Sequence, residues 1–280
     1  MFDLSVKNIS GDVLRLTRSN SYTITGISGL MPVAANINTS TAGTYDGALY
    51  NSARLGYRNI VITIYFTQDA EKNRIRLYDY FQTKQFCTLY FSNDNRDVQI
   101  SGYVETFECD PFVLGETAQI SIICPNPYFK SVLETVNRGS AVTSNFEFPT
   151  EFNSVEFSTE TLNTTVIIPN NGDVPAGMDI LLNFTGSVIN PVIRNAATGE
   201  FYRLNRDFVS GDKVTINTRN GEKSVILTRF GVDFNIINAL DVAASWLQLQ
   251  RGNNKLYYGA GSGANNMTVT FSHTDLFAGV

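Results

Sequence analysis

The sequence is poor in the residues on which most metal sites and disulfide frameworks depend. It has one histidine, His273, and three cysteines, Cys87, Cys109 and Cys124, with no CxxC pair. Zinc sites usually contain closely spaced cysteine and histidine pairs, and an odd number of cysteines does not suit a disulfide framework. We therefore expect the cysteines to be buried hydrophobic side chains, and we predict neither a bound metal nor a cofactor.

The sequence also lacks a long apolar run and a strong charge of either sign. Its longest uncharged, weakly polar run, Ile27–Ala35, is far shorter than the ~20 apolar residues that span a membrane. No cationic segment followed by an apolar stretch opens the chain, so we expect a soluble protein without a secretory signal or membrane contact. With 26 acidic and 21 basic residues the net charge is -5, so specific nucleic-acid binding is not expected.

No catalytic motif is evident. A Ser–His–Asp or Cys–His centre would have to use His273, and no G-x-S-x-G elbow lies near it. Paired carboxylates need only be close in space, which leaves a polysaccharide-degrading site open as the weakest alternative. We predict that the chain is not an enzyme.

What the sequence does contain is typical of strands and tight turns. Apolar residues make up 43% of the chain and charged residues 17%, as expected for a folded protein. The runs Asn59–Phe66 and Ala118–Ile123 favour buried strands. Lys213–Thr218 and Lys223–Leu227 flank Asn220-Gly221, a pair preferred in type I′ turns, where φ is positive twice. We therefore predict a mainly β fold.

One segment instead favours a helix. Gln68–Lys84 lacks glycine and proline, and Thr67 could cap its first turn. Its apolar residues fall on neighbouring helical faces: Ala70, Ile75, Leu77, Tyr78 and Phe81. We expect a half-buried structural helix.

The chain is expected to form two domains. Pro125 and Pro127 end the last strand of the first part, and the polar stretch Ser131–Ser144 that follows is typical of a linker. We therefore divide the chain into residues 1–130 and 131–280.

The second half contains an ordered series of turns and short strands. The series consists of Asn171–Gly177, Gly186–Pro191, Thr198–Phe201, Gly211–Thr218, Asn220–Val225, Ser245–Leu249 and Gly252–Asn254. It resembles the C-terminal domain of the distal tail proteins of long, flexible-tailed bacteriophages. The first half resembles the same family in its Asp46-Gly47 turn, the strand around Tyr57–Ile60, the helix and the closing Cys124–Lys130.

The resemblance implies an N-terminal β-sandwich or split-barrel domain with one α-helix, and a C-terminal galectin-like, carbohydrate-module-like β-sandwich. The N-terminal domain would form a homohexameric ring, either unaided or on a template. The ring would join the tail tube protein to the tail-associated lysin or tip protein, and DNA would only pass through it. The C-terminal domain would anchor receptor-binding proteins. The resemblance places such a chain in the baseplate of a virion, after synthesis in the host bacterial cytoplasm.

A galectin-like sandwich also suggests that the C-terminal domain binds a cell-wall or capsular sugar and recognises the host. The candidate contacts are Trp246, Tyr257, Tyr258, Asn253 and Asn254. Trp246 lies in an alternating run, which favours a place in the sandwich core instead. Adjacent strand residues point to opposite faces, so one of the two tyrosines must point outward.

Six further residues are predicted to have structural roles in turns: Gly172, Asp173, Gly211, Asp212, Asn220 and Gly221. Positive φ is cheap only for glycine and tolerable for asparagine. A metal-binding role for Asp212 is the weaker alternative, because no second ligand lies at a suitable spacing.

Overall fold

The chain divides into two compact units. The computed structural model describes residues 2–41, 43, 46–113, 115–140 and 164–280. Unit 1 comprises Met1–Val132 and Leu276–Val280, and unit 2 comprises Leu133–Asp275. We expected the second domain to extend to residue 280. Instead the last five residues belong to unit 1, because Leu276–Phe277 pairs with Phe129–Ser131 there.

Unit 1 is built from strands around one α-helix, α1 (Ala70–Tyr78), among the residues that the structure describes. The strands are β1 (Asp3–Lys7), β2 (Val13–Arg15), β3 (Tyr22–Ser28), β4 (Ala35–Ser40), β5 (Leu49–Leu55), β6 (Arg58–Phe66), β7 (Phe86–Ser92), β8 (Asp97–Cys109), β9 (Thr117–Cys124), β10 (Phe129–Ser131) and β22 (Leu276–Phe277). Nine of them form one sheet in the order β2-β1-β7-β8-β9-β6-β3, and β10 joins β8 to β22. Among the described strands, β4 and β5 pair only with each other.

The core of unit 1 follows from the two-residue period of its strands. In β6, Ile60, Ile62 and Ile64 are fully buried, and on the neighbouring β9 so are Ile120 and Ile122. The apolar runs of both strands predict this burial. Because alternate side chains face one side of a strand, the opposite face of the sheet is left for other contacts.

The helix is shorter than the predicted range Gln68–Lys84. Its N-cap is Asp69, whose φ is 44° and whose side chain makes no capping hydrogen bond. The hydroxyl of Thr67 donates to the backbone oxygen of Asn20 instead (2.6 Å), so it is not the cap. At the other end, Lys84 has a φ of 69° and its amide donates to the backbone oxygen of Val104.

Only some of the apolar residues of this helical segment pack into the core of unit 1. Of the apolar residues predicted on its faces, Leu77 and Phe81 are fully buried, whereas Ile75 and Tyr78 are exposed. The amide of Phe81 still donates to the backbone oxygen of Leu77, but the chain then turns to begin β7. The buried polar member of the helix is Asn73, whose side-chain amide donates to the Gln68 carbonyl (2.8 Å).

A buried arginine at the start of β6 connects distant parts of unit 1. Arg58 is 2% exposed, and its guanidinium donates to the backbone oxygens of Pro127, Met31 and Ala278 at 2.7 Å each. It also donates to the carbonyl of Gly29, and it stacks on the ring of Phe129 at 4.5 Å. Burial lowers the pKa of Arg58 from its ordinary value. The cation is therefore held by carbonyl dipoles and an aromatic face.

Unit 2 is a sandwich of two antiparallel sheets. Its strands are β11 (Thr135–Ser140), β12 (Thr164–Asn170), β13 (Met178–Phe184), β14 (Val188–Asn195), β15 (Phe201–Arg203), β16 (Asp207–Phe208), β17 (Lys213–Asn217), β18 (Ser224–Arg229), β19 (Val232–Asn235), β20 (Gly252–Ser262) and β21 (Met267–His273). One sheet has the order β11-β21-β13-β17-β18-β19. The other has the order β12-β20-β14-β15, with β16 also on β14. Short 3-10 turns lie at Ile237–Ala239 and Ala264–Asn266.

Both sheets of unit 2 contribute to a single hydrophobic core. The strand β13 alternates strictly between buried and half-buried residues, with Ile180 and Leu182 inside. Ile193 and Tyr258 project into the same core from the five-stranded sheet. Together with unit 1, this arrangement confirms the predicted mainly β fold with β-sandwich architecture.

The hairpin predicted around Asn220-Gly221 is present, but its turn type is different. The strands β17 and β18 pair from Lys213↔Thr228 to Asn217↔Ser224, which leaves six residues in the loop. Of the central pair only Gly221 has positive φ (+86°), and the Glu222 amide donates to the Arg219 carbonyl. Positive φ at the second central position alone is typical of a type II turn rather than type I′.

The longer loop has a structural cause in Thr218. This residue is fully buried, and its hydroxyl accepts from the Met178 amide at 2.9 Å and donates to the Met178 carbonyl at 3.1 Å. Its hydrogen bonds are therefore directed to β13. The pairing with β18 ends one residue earlier.

The substitution Gly221→Val should destabilise unit 2 by about 1–3 kcal/mol, because a β-branched residue is strained at positive φ. Gly221→Asn should cost less, since asparagine tolerates this conformation. No atom of the described residues lies within 4 Å of a Cβ placed at this position, so the difference isolates backbone strain. Urea unfolding followed by the fluorescence of Trp246, the single tryptophan, measures both variants in unit 2. Equal midpoints for the three proteins would contradict the turn assignment.

Arg58→Met should destabilise unit 1 by at least about 3 kcal/mol, because buried carbonyl groups lose charged donors. The matched control is Arg54→Met on the exposed strand β5, for which we expect a change within about 0.5 kcal/mol. Circular dichroism during urea unfolding compares the two variants. A midpoint for Arg58→Met as high as that of the control would contradict the role given to Arg58.

Candidate functional site

The single histidine is part of a buried pair. His273 is fully buried, and its Nε2 lies 3.3 Å from Oδ1 of Asp275, outside hydrogen-bond geometry. Neither ring nitrogen reaches a hydroxyl or thiol of the described residues. Asp275 also accepts from the amide of Asn171 (3.1 Å), which ties it to the backbone. This arrangement lacks the nucleophile contact that a catalytic histidine needs.

The three cysteines are free, and two of them are buried as predicted. Cys87 and Cys124 are at most 1% exposed, whereas Cys109 is only partly buried. Burial raises the pKa of Cys87 and of Cys124 to about 12. Thiols with such a pKa are not nucleophiles at neutral pH. In the described ranges, no group of three or more His, Cys, Asp or Glu residues could hold a metal ion.

Two of the predicted turn glycines of unit 2 donate hydrogen bonds from their backbone amides. The Gly172 amide donates to the side chain of Asn170 at 2.9 Å, and Asp173 follows in the same bend. Gly211 has a φ of +87°, and its amide donates to the Phe184 carbonyl. Asn220 occupies the first central position of the turn described above.

The buried Asp212 forms an ion pair with Arg229, which is only partly buried. Its carboxylate accepts from Nε and Nη2 of Arg229 at 2.7 and 2.5 Å, and from the Val209 amide at 3.0 Å. Hydrogen bonding by Arg229 holds the pKa of Asp212 below its ordinary value. Both carboxylate oxygens thus have protein partners, which supports the structural role over the metal-binding alternative.

The candidate sugar contacts do not converge on one site. Trp246 is half-buried against the core of unit 2, edge-to-face with Tyr202 (5.5 Å) and beneath the Lys223 ammonium (5.5 Å). Tyr258 is buried, so its hydroxyl and ring belong to the core. Its neighbour Tyr257 lies on the outer face of the five-stranded sheet, as the strand period requires.

The two asparagines before these tyrosines also separate. Asn253 is exposed. Asn254 is 5% exposed, and its side chain hydrogen bonds to the backbone of Gln250. The Asn254 side-chain amide donates to the Gln250 carbonyl (2.7 Å), and the side-chain oxygen accepts from the Gln250 amide (2.8 Å). Asn254 therefore shapes the loop before β20 instead of facing a ligand.

The outer face around Tyr257 contains a depression of about 410 Å³. Val192, Arg194, Arg203 and Gly259 line it together with Tyr257. Sequence reasoning selected Tyr257 but missed the two arginines. They lie on β14 and β15, and only the register Arg194↔Phe201 and Val192↔Arg203 brings them together.

In unit 1 the most exposed element is the hairpin of β4 and β5. Every residue of the two strands is exposed, including Ile37, Leu49 and Tyr50. At its base, Leu55 and Tyr128 border a second depression of about 440 Å³. A two-stranded hairpin without a covering layer is at best marginally stable in water, so this element is suited to an interface.

Each half of the chain matches a family model. Residues 171–274 match the model described as siphovirus-type tail component, C-terminal domain, and residues 9–124 match the phage tail protein RIFT-related domain. No curated protein sequence matches the chain. Within the described ranges, the longest helix has nine residues and could not cross a bilayer.

Similar solved structures come from phage tails. The crystal structure of the SPP1 Dit protein, described as a paradigm of the hub adsorption apparatus in Gram-positive infecting phages, is 14% identical over 99% of both chains, with a TM-score of 0.68. Structures of the phage p2 baseplate in its activated conformation, with Ca and with Sr, are 11% identical over 98% of both chains, with TM-scores of 0.53 and 0.54. At these identities the likeness establishes a shared fold.

The cysteine environments predict a specific labelling pattern. In the native protein a thiol reagent such as DTNB should react with at most one thiol, Cys109, because Cys87 and Cys124 are buried and carry pKa values of about 12. In urea all three should react. Two or more rapidly reacting thiols in the native protein would contradict the buried positions.

Proposed function

The chain belongs to the distal tail protein family of siphophages, since the two family models match its two units, and from this premise we propose that it forms the ring-shaped hub of a phage tail tip. It is a structural component of a siphovirus-type tail. In the proposed assembly, unit 1 of six copies forms a ring between the tail tube protein and the tail-associated lysin or tip protein. The chain acts there as architecture, without catalytic turnover.

The observation that carries the ring proposal is the exposed hairpin β4–β5. It pairs with no other strand in the part of the chain that the structure describes, and Ile37, Tyr50 and Leu49 are each 60–68% exposed. Between Ala35 and Leu55 it contains only two charged residues, Asp46 and Arg54. An exposed, nearly uncharged hairpin gains stability when an apolar surface covers it. A second copy of unit 1 is the surface that a homo-oligomeric ring provides.

The base of the hairpin offers a complementary recess. Ala35, Ala53 and Leu55 border one side of the depression of about 440 Å³, and Pro127 and Tyr128 border the other. Arg54 also borders the depression. The other five lining side chains are apolar or aromatic, so the recess suits an apolar side chain of the adjacent copy. The outer part of the hairpin and the recess at its base are different surfaces of the same unit, so they can meet head to tail between copies, and such contacts form a ring when the rotation closes.

The charge of the chain is compatible with DNA passing through the ring. A net charge of -5 disfavours retention of phosphates, so transit without specific binding is expected. The proposed location is accordingly the virion tail tip, after synthesis in the host cytoplasm.

Unit 2 offers a separate surface for a receptor-binding protein. The strand β19 is the exposed edge of the six-stranded sheet, and the turn before it places Phe230 at a φ of 52° with 94% exposure. Val232 and Phe234 follow on the same edge and are also exposed. Exposed edge strands with apolar side chains are sites at which another protein can add.

The ring proposal predicts the behaviour of the double variant Ile37→Asp, Tyr50→Asp. The wild-type chain should give rings in negative-stain micrographs and a hexamer mass by native mass spectrometry, alone or with the tube protein added. The double variant should give single copies with unchanged melting temperature, because both side chains are already exposed in the isolated chain. The control is Val242→Asp, at a fully exposed apolar position of unit 2.

Two outcomes would count against this proposal. If the double variant formed rings as well as the wild-type chain does, the hairpin would not be part of the contact between neighbouring copies. Single copies of the wild-type chain at high concentration, even with tube and tip proteins present, would overturn the ring itself.

A further inference from the structure

We propose that the outer face of the five-stranded sheet in unit 2 binds an anionic saccharide in the depression between Arg194, Arg203 and Tyr257. The depression is formed entirely by residues of unit 2, on strands β14, β15 and β20. The proposal therefore does not depend on ring formation by unit 1.

The shape of the depression follows from strand register. On β14, Val192 is paired with Arg203 of β15 and with Gly259 of β20. Two residues further along β14, Arg194 is paired with Phe201 of β15 and with Tyr257 of β20. Gly259 has no side chain, so its position leaves a low floor beside Val192. The side chains of Arg203, Arg194 and Tyr257 form the walls around this floor.

Aromatic rings hold the cationic groups in place. The guanidinium carbons of Arg194 and Arg203 lie 5.9 and 5.3 Å from the centre of the Phe201 ring. The ammonium group of Lys255 lies 5.2 Å from the ring of Tyr257. Cation–π contacts of this kind restrict the side chains and leave their N–H groups available to a ligand.

The positive charge of this face is only partly compensated. Arg203 has a distant ion pair with Asp241 at 3.8 Å, whereas Arg194 and Lys255 have no acidic partner within 4 Å among the described residues. Three cations thus collect on one sheet face of a chain whose net charge is -5. This cluster of positive charges favours a ligand with carboxylate or phosphate groups, because a guanidinium group can bind such a group through two parallel hydrogen bonds.

A saccharide fits this depression better than an acidic peptide strand. The volume of about 410 Å³ lies in the range of small-molecule sites, about 300–1,000 Å³. The outward ring of Tyr257 can pack on the C–H face of a sugar while the arginines bind its acidic group. A peptide strand would instead use the free hydrogen-bonding groups of a sheet edge, and this depression lies on the face of β14 and β20, which are paired on both sides.

The test uses the full chain and isothermal titration calorimetry with defined probes. Oligogalacturonate supplies carboxylates and glucose 1-phosphate supplies a phosphate, while maltohexaose is the neutral control and hexaglutamate the acidic peptide control. We expect at least one of the two acidic sugars to bind more tightly than maltohexaose and hexaglutamate, with an affinity that falls as salt is added. The affinity should depend on salt because the ligand and the arginines carry opposite charges. The comparison with hexaglutamate tests whether binding requires a sugar ring in addition to acidic groups.

Variants distinguish this site from general attraction. Arg194→Gln, at an exposed position, should weaken binding of the acidic sugar about tenfold, because a charge-assisted pair is lost. Tyr257→Ala should weaken it as well. Arg138→Gln, the same change at an exposed position of the other sheet, should leave the affinity within twofold.

Three results would overturn the proposal. The first is that neither acidic sugar binds more tightly than maltohexaose. The second is that hexaglutamate binds as tightly as the better acidic sugar, which would assign the face to an acidic protein segment. The third is an equal loss of affinity for the acidic sugar in Arg194→Gln and Arg138→Gln, which would show that binding depends on the net charge of the chain and not on this depression. Each result is obtained whether or not the chain assembles into rings.

Discussion

Backbone carbonyl groups from three separate stretches of the chain converge on the buried guanidinium of Arg58. Burying a cation is costly unless each donor finds an acceptor, and here the acceptors belong to the loop after β3, to Pro127 and to Ala278. Their positions are correct only when unit 1 is complete. Since Ala278 follows unit 2 in the sequence, the burial of Arg58 uses acceptors from both sides of unit 2 along the chain. The Arg58 contact with Ala278 thus adds to the pairing of Leu276–Phe277 with Phe129–Ser131 in holding residues 276–280 in unit 1.

Much of the fold could be predicted because strand period and burial coincide. The run Asn59–Phe66 shows which side of β6 is buried, and Leu77 and Phe81 identify the inner side of the helical segment. What could not be predicted depends on partners far away in sequence. Thr218 hydrogen bonds to Met178, forty residues earlier, and this contact lengthens the loop and replaces the expected type I′ turn. Local preferences of Asn220-Gly221 contain no information about that contact.

The same distinction applies to the candidate site of unit 2. That one of two adjacent tyrosines points outward follows from the strand period alone, and the structure identifies it as Tyr257. Its neighbours Arg194 and Arg203 are 63 and 54 residues away in sequence, and only the pairing of three strands places them beside it. Trp246 was the more conspicuous residue in the sequence. Its contact with the buried Tyr202 assigns it to the margin of the core instead.

The two units present surfaces of opposite chemistry although both are built from antiparallel sheets. In unit 1 the exposed hairpin has large apolar side chains and almost no charge, so its contacts should depend on burial of apolar area and tolerate salt. In unit 2 the outer sheet face combines guanidinium groups with aromatic rings, and interactions of such groups weaken as ionic strength rises. In the proposed assembly, the apolar contacts of unit 1 would hold the copies together while the charged face of unit 2 exchanges ligands. The two kinds of contact therefore need to lie on separate surfaces. The division of the chain into two cores allows this, because each core buries one side of its sheets and leaves the other side free to acquire its own chemistry.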